Sequence, residues 1–324
     1  MSPRVLVLGG GGFIGRRIVA RLCREGTART VAAGRRAPRN PDPGVESVAL
    51  DATDAKAVAD GIAGVTAVVN CITGDPQTIV ESARVLFEAA ARCPHPPRIV
   101  HLSSMAVYGK QTGEMDESAP LRPDLNEYGA AKVAAEGFAS RYADAVSLRP
   151  GIVYGPDSPL WSRYIAQLLM SGRLGDLGDE GRGICNLVHV EDVAGAVVRS
   201  LSAPDVAGRA FNLSMATPPT WNDYFCLYAQ ALGATPVKRI SRARLLWETK
   251  VLAPLLKVAA GVSRGSARVP PPIRPWLLEL CRHRITLRSA AAGQALGVAW
   301  TPLQQGLAAT AGWYLGTGSG PAAN

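Results

Sequence analysis

The feature that most constrains the fold is a glycine-rich turn between a short apolar run and an amphipathic segment. Residues 5–8 read Val-Leu-Val-Leu, and the spacing Gly-x-x-Gly-x-x-Gly follows over residues 9–15. This pattern predicts a buried strand, a tight turn and a helix. Glycine lets a pyrophosphate approach the N–H groups at the helix N-terminus, so the turn predicts a dinucleotide site. A plain strand-to-helix turn is the alternative. The predicted contacts are Gly9, Gly12, Phe13, Ile14 and Gly15.

The same pattern of short apolar runs and helical stretches repeats up to residue 150. Predicted strands lie at 30–33, 45–50, 67–71, 98–102 and 145–148, and predicted helices at 54–62, 76–92 and 127–143. Strands that are apolar on both faces and alternate with helices favour an α/β fold with a doubly wound parallel (Rossmann) sheet.

The remaining chain predicts a smaller and mostly helical cap. Its predicted helices lie at 160–171, 191–202, 221–232, 288–296 and 303–315, and its strands at 187–189 and 210–213. We therefore expect a dinucleotide-binding domain over 1–150 and an interleaved substrate-binding cap over 151–316, some of whose segments return to the first domain. Residues 317–324 are predicted to form a flexible tail.

Composition excludes several classes of protein. The 324 residues are 47% hydrophobic, enough for a sizeable core, so disorder and a disulfide-stapled miniprotein are excluded. The six cysteines are scattered without Cys-x-x-Cys pairs, which predicts buried thiols in a reducing compartment and no metal site. We expect no signal peptide and find no apolar stretch of about 18 residues, so a cytoplasmic location is predicted.

The net charge of +9 is concentrated in one segment. Residues 238–288 hold 12 of the 35 Lys and Arg and two of the 26 Asp and Glu, a local charge of +10 against −1 elsewhere. This distribution argues against a nucleic-acid partner. The segment also carries an apolar stripe from 245 to 256, so weak peripheral contact with an anionic membrane is one hypothesis. A packed helix whose arginines face solvent or the partner of a homodimer is the alternative.

The end of the second predicted strand indicates which dinucleotide binds. NAD sites usually place Asp or Glu there, whereas this strand ends in Gly34, Arg35 and Arg36. Two guanidinium groups can hold a 2′-phosphate, so NADP(H) is predicted to be preferred, with NAD(H) as the alternative. A solvated basic turn is the simpler interpretation. Asp51, after the third strand, is a candidate acceptor for the adenine amino group.

A tyrosine, a lysine and a serine carry the predicted chemistry. Tyr128 and Lys132 lie one helical turn apart, and Ser104 follows the strand at 98–102. An adjacent ammonium and an oxidised nicotinamide are expected to lower the pKa of the phenol. Tyr128 could then remove a proton from a carbinol or donate one to a carbonyl, with the serine hydroxyl holding the reacting oxygen.

With these motifs the chain resembles the extended short-chain dehydrogenase/reductase family, in its epimerase/dehydratase branch. The matching stretches are GGGGFIG (9–15), NCI (70–72), SSMAVYG (103–109), YGAAK (128–132), LRPGIVYGP (148–156), HVEDVA (189–194) and FNL (211–213). The resemblance implies that Ser104, Tyr128 and Lys132 are catalytic and that Lys132 also binds the nicotinamide ribose. Its further implied cofactor contacts are Ala52, Cys71 and Pro150.

Three departures from the family pattern bear on the substrate. Cys185 stands where sugar-nucleotide members commonly carry an arginine, and Met105 follows Ser104 where dehydratases place an acid. The basic segment 238–288 is longer than in compact sugar epimerases and resembles the same region of hydroxysteroid dehydrogenase-like members. We therefore favour an NADP-dependent oxidoreductase that interconverts a secondary alcohol and a ketone on an apolar or medium-sized substrate. A sugar-nucleotide epimerase and a non-catalytic NADP-binding regulator are the alternatives. Predicted substrate contacts are Met105, Val153, Tyr154, Trp161 and Arg182.

Overall fold

The computed structural model describes residues 3–38, 44–248 and 273–316. The predicted tail at 317–324 and the residues 249–272 of the basic segment lie outside the described residues. The chain forms two compact units, each built from three separate stretches. Unit 1 comprises Met1–Gly151, Val190–Ala216 and Leu287–Trp300, and unit 2 comprises Ile152–His189, Thr217–Thr286 and Thr301–Asn324.

The described strands and helices follow in chain order. The strands are β1 Arg4–Leu8, β2 Arg29–Gly34, β3 Glu46–Ala49, β4 Ala67–Asn70, β5 Arg98–Leu102, β6 Gly113–Met115, β7 Ala145–Pro150, β8 Ile152–Tyr154, β9 Leu187–His189, β10 Ala210–Leu213 and β11 Ile285–Leu287. The helices are α1 Phe13–Glu25, α2 Ala55–Ile62, α3 Pro76–Ala91, α4 Glu127–Ala139, α5 Ile165–Met170, α6 Val190–Ser200, α7 Trp221–Ala231, α8 Arg242–Trp247, α9 Pro275–Arg282, α10 Ala290–Leu296 and α11 Leu303–Gly316.

Unit 1 contains a seven-stranded sheet in the order β10-β7-β5-β4-β1-β2-β3. Every neighbouring pair is parallel, which confirms the predicted doubly wound α/β fold. The chain runs outward from β1 through β2 to β3 and then returns to place β4 on the other side of β1. In such sheets the ligand crevice opens at the carboxyl ends of the strands where the order reverses, here β1 and β4.

The sheet forms because its central strands are apolar on both faces. β4 and β7 are buried at every residue, and helices cover the sheet, with α1 packing on α6 and α3 on α4. Asp54 and Asp75 begin α2 and α3 by accepting hydrogen bonds from free N–H groups of the first turn. The predicted strand and helix positions in this unit agree with the structure to within a few residues, although α4 ends at Ala139 rather than 143.

Unit 2 departs further from the predicted elements. The helix predicted at 160–171 is a π-helical turn at Pro159–Tyr164 followed by α5, and the short elements β8, β11 and α9 were not predicted. β8 and β9 pair in parallel, and a buried ion pair joins Arg173 to Glu248. Among the described residues, no helix combines the length and apolar character needed to cross a membrane.

Candidate active site

The glycine turn after β1 has the shape that a pyrophosphate needs. A Cβ on Gly15 would lie 2.1 Å from the Gly9 carbonyl oxygen, so only glycine allows this approach of α1 to the turn. Gly12 precedes α1 in an extended conformation and contributes no side-chain cap. The first N–H groups of the helix therefore have no side-chain acceptor, and a phosphate can accept from them. The residues present fit a dinucleotide.

Arg35 and Arg36, which follow β2, are exposed. Neither pairs with a carboxylate in the described part of the chain. Asp51 accepts hydrogen bonds from the Thr53 backbone N–H at 2.9 Å and hydroxyl at 2.7 Å, both at Oδ1. These bonds, with a smaller contribution from the Arg35 charge, lower the pKa of Asp51. Asp51 is therefore an ionised acceptor near Arg35, and Ala52 is buried behind it.

The residues that follow β4, beginning with Cys71, lie against the glycine turn. The Cys71 N–H donates to Leu8 O at 3.0 Å, and a Cβ on Gly9 would lie 3.1 Å from Cys71 O. Burial raises the pKa of the Cys71 thiol to about 12, so it is neutral. Asn70 shapes this segment, because its Oδ1 accepts from the Ile72 N–H at 3.1 Å.

The amide of Asn70 also determines the protonation of His101. Its Nδ2 lies 3.3 Å from His101 Nδ1, and an amide nitrogen can only donate. His101 therefore accepts at Nδ1 and carries its proton on Nε2, for which the described residues provide no hydrogen-bond partner. Burial lowers the pKa of His101 to about 3, so the ring is neutral.

Lys132 of α4 is buried, with 2% of its surface exposed. Its Nζ donates to Leu102 O at 2.8 Å and to Ile72 O at 3.3 Å. An ammonium has three donors, so one remains for a ligand. Burial lowers the pKa of Lys132 to about 8, against a smaller opposing effect of Cys71 and Glu136.

Tyr128 lies one turn before Lys132, with the lysine Nζ 5.9 Å from the centre of its ring. Ser104 is buried and caps the 3₁₀ turn Met105–Tyr108, and its hydroxyl lowers the pKa of Tyr128. The phenol was expected to have a lowered pKa beside the ammonium and an oxidised nicotinamide together. Without the nicotinamide, desolvation raises the pKa of Tyr128 and the Ser104 hydroxyl opposes the increase, although 36% of the Tyr128 surface is exposed. Without the positive charge of a nicotinamide, Tyr128 is a protonated phenol.

The predicted substrate contacts fall in both units. Met105 is half-buried in unit 1, in the 3₁₀ turn after Ser104. In unit 2, Val153 is buried, and Tyr154 is buried with its ring edge-on to His189. Trp161 packs against two further tryptophans, at ring-centre distances of 5.6 and 5.7 Å.

Arg182, the last predicted substrate contact, is exposed and pairs with Asp179 at 2.9 Å. Arg182 follows the 3₁₀ turn Gly178–Gly181. Cys185, which stands at the position of the family's arginine, is buried, and burial raises the pKa of its thiol. Pro150, a predicted cofactor contact, ends β7 in unit 1 and is buried.

Three buried residues next to the candidate site were not predicted from the sequence. Ser103, Glu136 and Arg149 are all at most 5% exposed and are joined by hydrogen bonds. The spacing of Glu136, four residues after Lys132 on the same helix face, is the signal that could have identified it. No group of His, Cys, Asp and Glu with metal-binding geometry occurs among the residues that the structure describes.

A family model described as "NAD dependent epimerase/dehydratase family" matches residues 5–214. 2′-Dehydrokanamycin reductase of Streptomyces kanamyceticus is 28% identical over 246 residues, 71% of this chain and 67% of that protein. dTDP-6-deoxy-L-talose 4-dehydrogenase (NAD(P)(+)) of Kitasatospora kifunensis is 37% identical over 180 residues, 48% of this chain and 54% of that protein. The match thus spans between half and two thirds of these two relatives.

Two further similarities cover more of the chain. 2-Alkyl-3-oxoalkanoate reductase of Stenotrophomonas maltophilia is 26% identical over 263 residues, 74% of this chain and 78% of that protein. A crystal structure of dTDP-glucose 4,6-dehydratase from Bacillus anthracis in complex with NAD superimposes with a TM-score of 0.74 at 19% identity. The superposition covers 97% of each chain and shows that the two proteins share a fold.

Proposed function

Because the chain belongs to the NAD dependent epimerase/dehydratase family, we propose that it is an NADP(H)-linked oxidoreductase that interconverts a ketone and a secondary alcohol. The observation that carries this proposal is the arrangement around Lys132 of α4. Its buried ammonium keeps one donor unused and lies 5.9 Å from the ring centre of Tyr128 on the same helix, and the Ser104 hydroxyl lowers the pKa of that phenol. All three side chains belong to unit 1, together with the glycine turn.

When bound, a nicotinamide dinucleotide would supply the hydride for reduction and would accept it for oxidation. Tyr128 donates its phenolic proton to the oxygen of the ketone as that oxygen gains negative charge. The Ser104 hydroxyl donates a hydrogen bond to the same oxygen. Lys132 binds the nicotinamide ribose with its remaining donor, and its positive charge stabilises the phenolate left after proton transfer. Tyr128 is protonated at neutral pH, because the ordinary pKa of a phenol is 10.0 and desolvation raises it further, so the site without ligand is prepared for reduction.

The proposed preference for NADP(H) depends on Arg35 and Arg36. Both are exposed after β2, and a carboxylate that would accept from the ribose hydroxyls is absent from the end of that strand. Guanidinium groups bind a 2′-phosphate by charge-assisted hydrogen bonds. Asp51 is proposed to accept from the adenine amino group at Oδ2, since both Thr53 bonds use Oδ1.

The relatives include two reductases and a 4-dehydrogenase, but also dTDP-glucose 4,6-dehydratases, so their names are compatible with both ketone chemistry and dehydration. Met105 and Ala106 follow Ser104 and cannot act as acid or base, which argues against elimination. We propose an apolar or medium-sized ketone, of which a 2-alkyl-3-oxoalkanoate is the apolar test case.

The proposal is tested by NADPH oxidation with two probes, a 2-alkyl-3-oxoalkanoate and the ketone formed from dTDP-6-deoxy-L-talose by oxidation at C4. Tyr128→Phe removes only the ionisable oxygen, so turnover should fall by about 10²–10⁴ while NADPH binding is kept. Tyr142→Phe is the matched control, because the hydroxyl of Tyr142 bonds to Pro97 O in the core. Full turnover in Tyr128→Phe would show that the acid lies elsewhere.

An epimerase is the alternative function. Whether the purified protein contains tightly bound nucleotide distinguishes the two functions. An epimerase regenerates its cofactor in every cycle and keeps it tightly bound, whereas a reductase must exchange it. We expect protein that binds NADPH reversibly. Stoichiometric nucleotide that resists dialysis, with no net NADPH oxidation, would favour the epimerase.

A further inference from the structure

Glu136 is a buried carboxylate that the proposed reaction does not use. It lies on α4 one turn after Lys132, and only 5% of its surface is exposed. Its Oε1 accepts from Arg149 Nε at 2.9 Å and also from the Arg149 Nη2. Its Oε2 accepts from the Ser103 hydroxyl at 2.5 Å. Removing a carboxylate from water is unfavourable unless such partners satisfy it.

The partners of Glu136 stand directly beside the proposed functional residues. Ser103 precedes Ser104 at the end of β5, and Arg149 precedes Pro150 at the end of β7. One carboxylate therefore connects α4, which carries Tyr128 and Lys132, to the carboxyl ends of two neighbouring strands of the sheet.

The network continues beyond the ion pair. Arg149 Nη1 donates to the Tyr108 hydroxyl at 2.9 Å and to Glu117 O at 3.1 Å. The Tyr108 hydroxyl lies 2.7 Å from Asn212 Oδ1, to which it donates. Ser104 begins the 3₁₀ turn and Tyr108 ends it. Arg149 contacts the end of the turn through the Tyr108 hydroxyl, and Glu136 contacts Ser103, directly before its start.

We propose that Glu136 is a positioning residue, whose carboxylate holds Ser104 and Lys132 in the geometry for proton transfer by Tyr128. This inference rests on the proposed function. A buried ion pair on its own is weak evidence for stability, because apolar residues of similar volume often replace one without loss. Placement of this pair between three elements that carry reacting groups is what a positioning role requires.

Electrostatics give the role a measurable signature. The groups facing Lys132 are Cys71 from the end of β4, His101 from β5, and Tyr128 and Glu136 from α4. The thiol, the imidazole and the phenol are neutral, so the negative charge comes from Glu136, which is itself paired with the cation Arg149. Its removal should lower the pKa of Lys132 below the value of about 8 that burial produces.

The central variant is the double substitution Glu136→Gln with Arg149→Met. Removing both charges avoids an unpaired buried arginine, which would be strongly destabilising. We expect the double variant to fold, with turnover of the 2-alkyl-3-oxoalkanoate lowered about 10- to 100-fold, the loss that small misplacements of reacting groups cause. If it keeps the turnover of the unaltered protein, Glu136 is a simple core ion pair and the proposal is wrong.

A second variant keeps the ion pair intact. Ser103→Ala removes the hydroxyl that donates to Glu136 and leaves the Arg149 contacts unchanged. We expect kcat to fall about tenfold at temperatures well below unfolding, with the KM for NADPH unchanged. An unchanged kcat with a lowered melting temperature would show a structural role only and would overturn the proposal.

The matched control lies at the opposite ends of the same two strands. Arg98 begins β5 and pairs at 2.8 Å with Asp144, which precedes β7. Asp144→Asn removes a carboxylate from a pair between the same strands but far along them from Lys132. It should lower stability and leave turnover and the pKa of Lys132 unchanged.

A direct readout needs no substrate. The chain has six lysines, so ¹³Cε-labelled lysine gives a spectrum in which Lys132 is identified by its loss in Lys132→Met. Titration of the protein without cofactor should show a lower pKa for Lys132 in the double variant than in the unaltered protein, because Glu136 is among the charges that shift this pKa and Arg149 is not. An identical pKa would contradict the coupling. Absence of NADPH oxidation by the unaltered protein would instead disprove the proposed function, while this titration still decides on Glu136.

Discussion

At the scale of single residues, the burial of Lys132 lowers the stability of the folded protein and supports the proposed chemistry. The ammonium is buried, and burial lowers its pKa from 10.5 to about 8. At pH 7 it is still protonated, so the folded protein bears the full desolvation of a charge. This placement is unfavourable for folding and useful for binding a ribose and stabilising a phenolate.

The stability of the protein should therefore depend on pH through Lys132. Between pH 8 and 10.5 the folded lysine is neutral while the unfolded one is charged, so the unfolded state binds more protons. Stability contributed by Lys132 then rises with pH, by about 3 kcal/mol over the window at about 1.36 kcal/mol per pKa unit. Denaturant unfolding of the unaltered protein and of Lys132→Met measures this as a difference.

The comparison with Lys132→Met is needed because Cys71 acts in the opposite direction. Burial raises the pKa of its thiol from 9.0 to about 12, so the folded state keeps a proton that the unfolded state loses. Stability from Cys71 therefore falls as pH rises above 9. A difference between the two proteins that stays flat from pH 7.5 to 10 would contradict the lowered pKa of Lys132.

Arg35 and Arg36 are expected to determine the cofactor preference. Replacing both by Ala should raise the Kd for NADPH towards that for NADH, because each charge-assisted contact contributes about 1.5–3 kcal/mol. Isothermal titration with both cofactors measures the ratio. Arg29→Ala is the control, an exposed arginine at the other end of β2 that lies 3.8 Å from Glu46. Equal affinity of the unaltered protein for both cofactors would refute the assignment.

At the scale of elements, α4 is held unusually close to the 3₁₀ turn at Met105–Tyr108. A Cβ on Gly129 would lie 2.9 Å from Ala106 O, a backbone atom that cannot simply move aside. Asn126 begins the helix by accepting from the Gly129 N–H at 2.9 Å. The absence of a side chain at 129 thus sets the distance between Tyr128 and Ser104.

Two glycine-to-alanine substitutions in α4 test this packing. Gly137 has no atom within 4 Å of a Cβ, so Gly137→Ala should stabilise the helix by about 1 kcal/mol and leave turnover unchanged. Gly129→Ala gains the same helix propensity but must displace the first turn. We expect it to lower kcat about 10- to 100-fold. Equal kcat values for the two variants would show that the contact at Ala106 does not position Tyr128.

At the scale of the whole molecule, the positive charge is distributed unevenly. The segment 238–288 has a local charge of +10, and 53% of the surface of Trp247 in α8 is exposed. Most of the predicted apolar stripe lies outside the described residues. An exposed tryptophan beside a basic segment suits the surface of an anionic bilayer, where each well-placed cation contributes about 1 kcal/mol.

We therefore expect weak co-sedimentation with vesicles that contain phosphatidylserine. Binding should rise with the anionic lipid content and weaken as salt is added, because the attraction is screened. Trp247→Ala should weaken it further, and vesicles of phosphatidylcholine alone are the control. Failure to sediment with strongly anionic vesicles at low salt would exclude the membrane hypothesis and favour a solvated or intersubunit role for these arginines.

The sequence alone determined the features that depend on local spacing. The glycine turn, the alternation of strands and helices, and the Tyr128–Lys132 pair were all readable because a helix repeats every 3.6 residues and a strand every two. The family model confirms the resemblance that these motifs indicated. Bounds were less accurate in unit 2, where short elements such as β8 carry little periodic signal.

Only the tertiary structure decided which groups lose water and which charges meet. Glu136 and Ser103 are 33 residues apart, and Tyr108 and Asn212 are 104 apart. Such pairs form where strands from distant parts of the chain lie side by side. Local sequence patterns do not predict which distant strands become neighbours. The same holds for the pKa of Lys132, which burial lowers to about 8 and which no local pattern indicates. Burial is a property of the packed molecule, and burial controls the ionisation of this site.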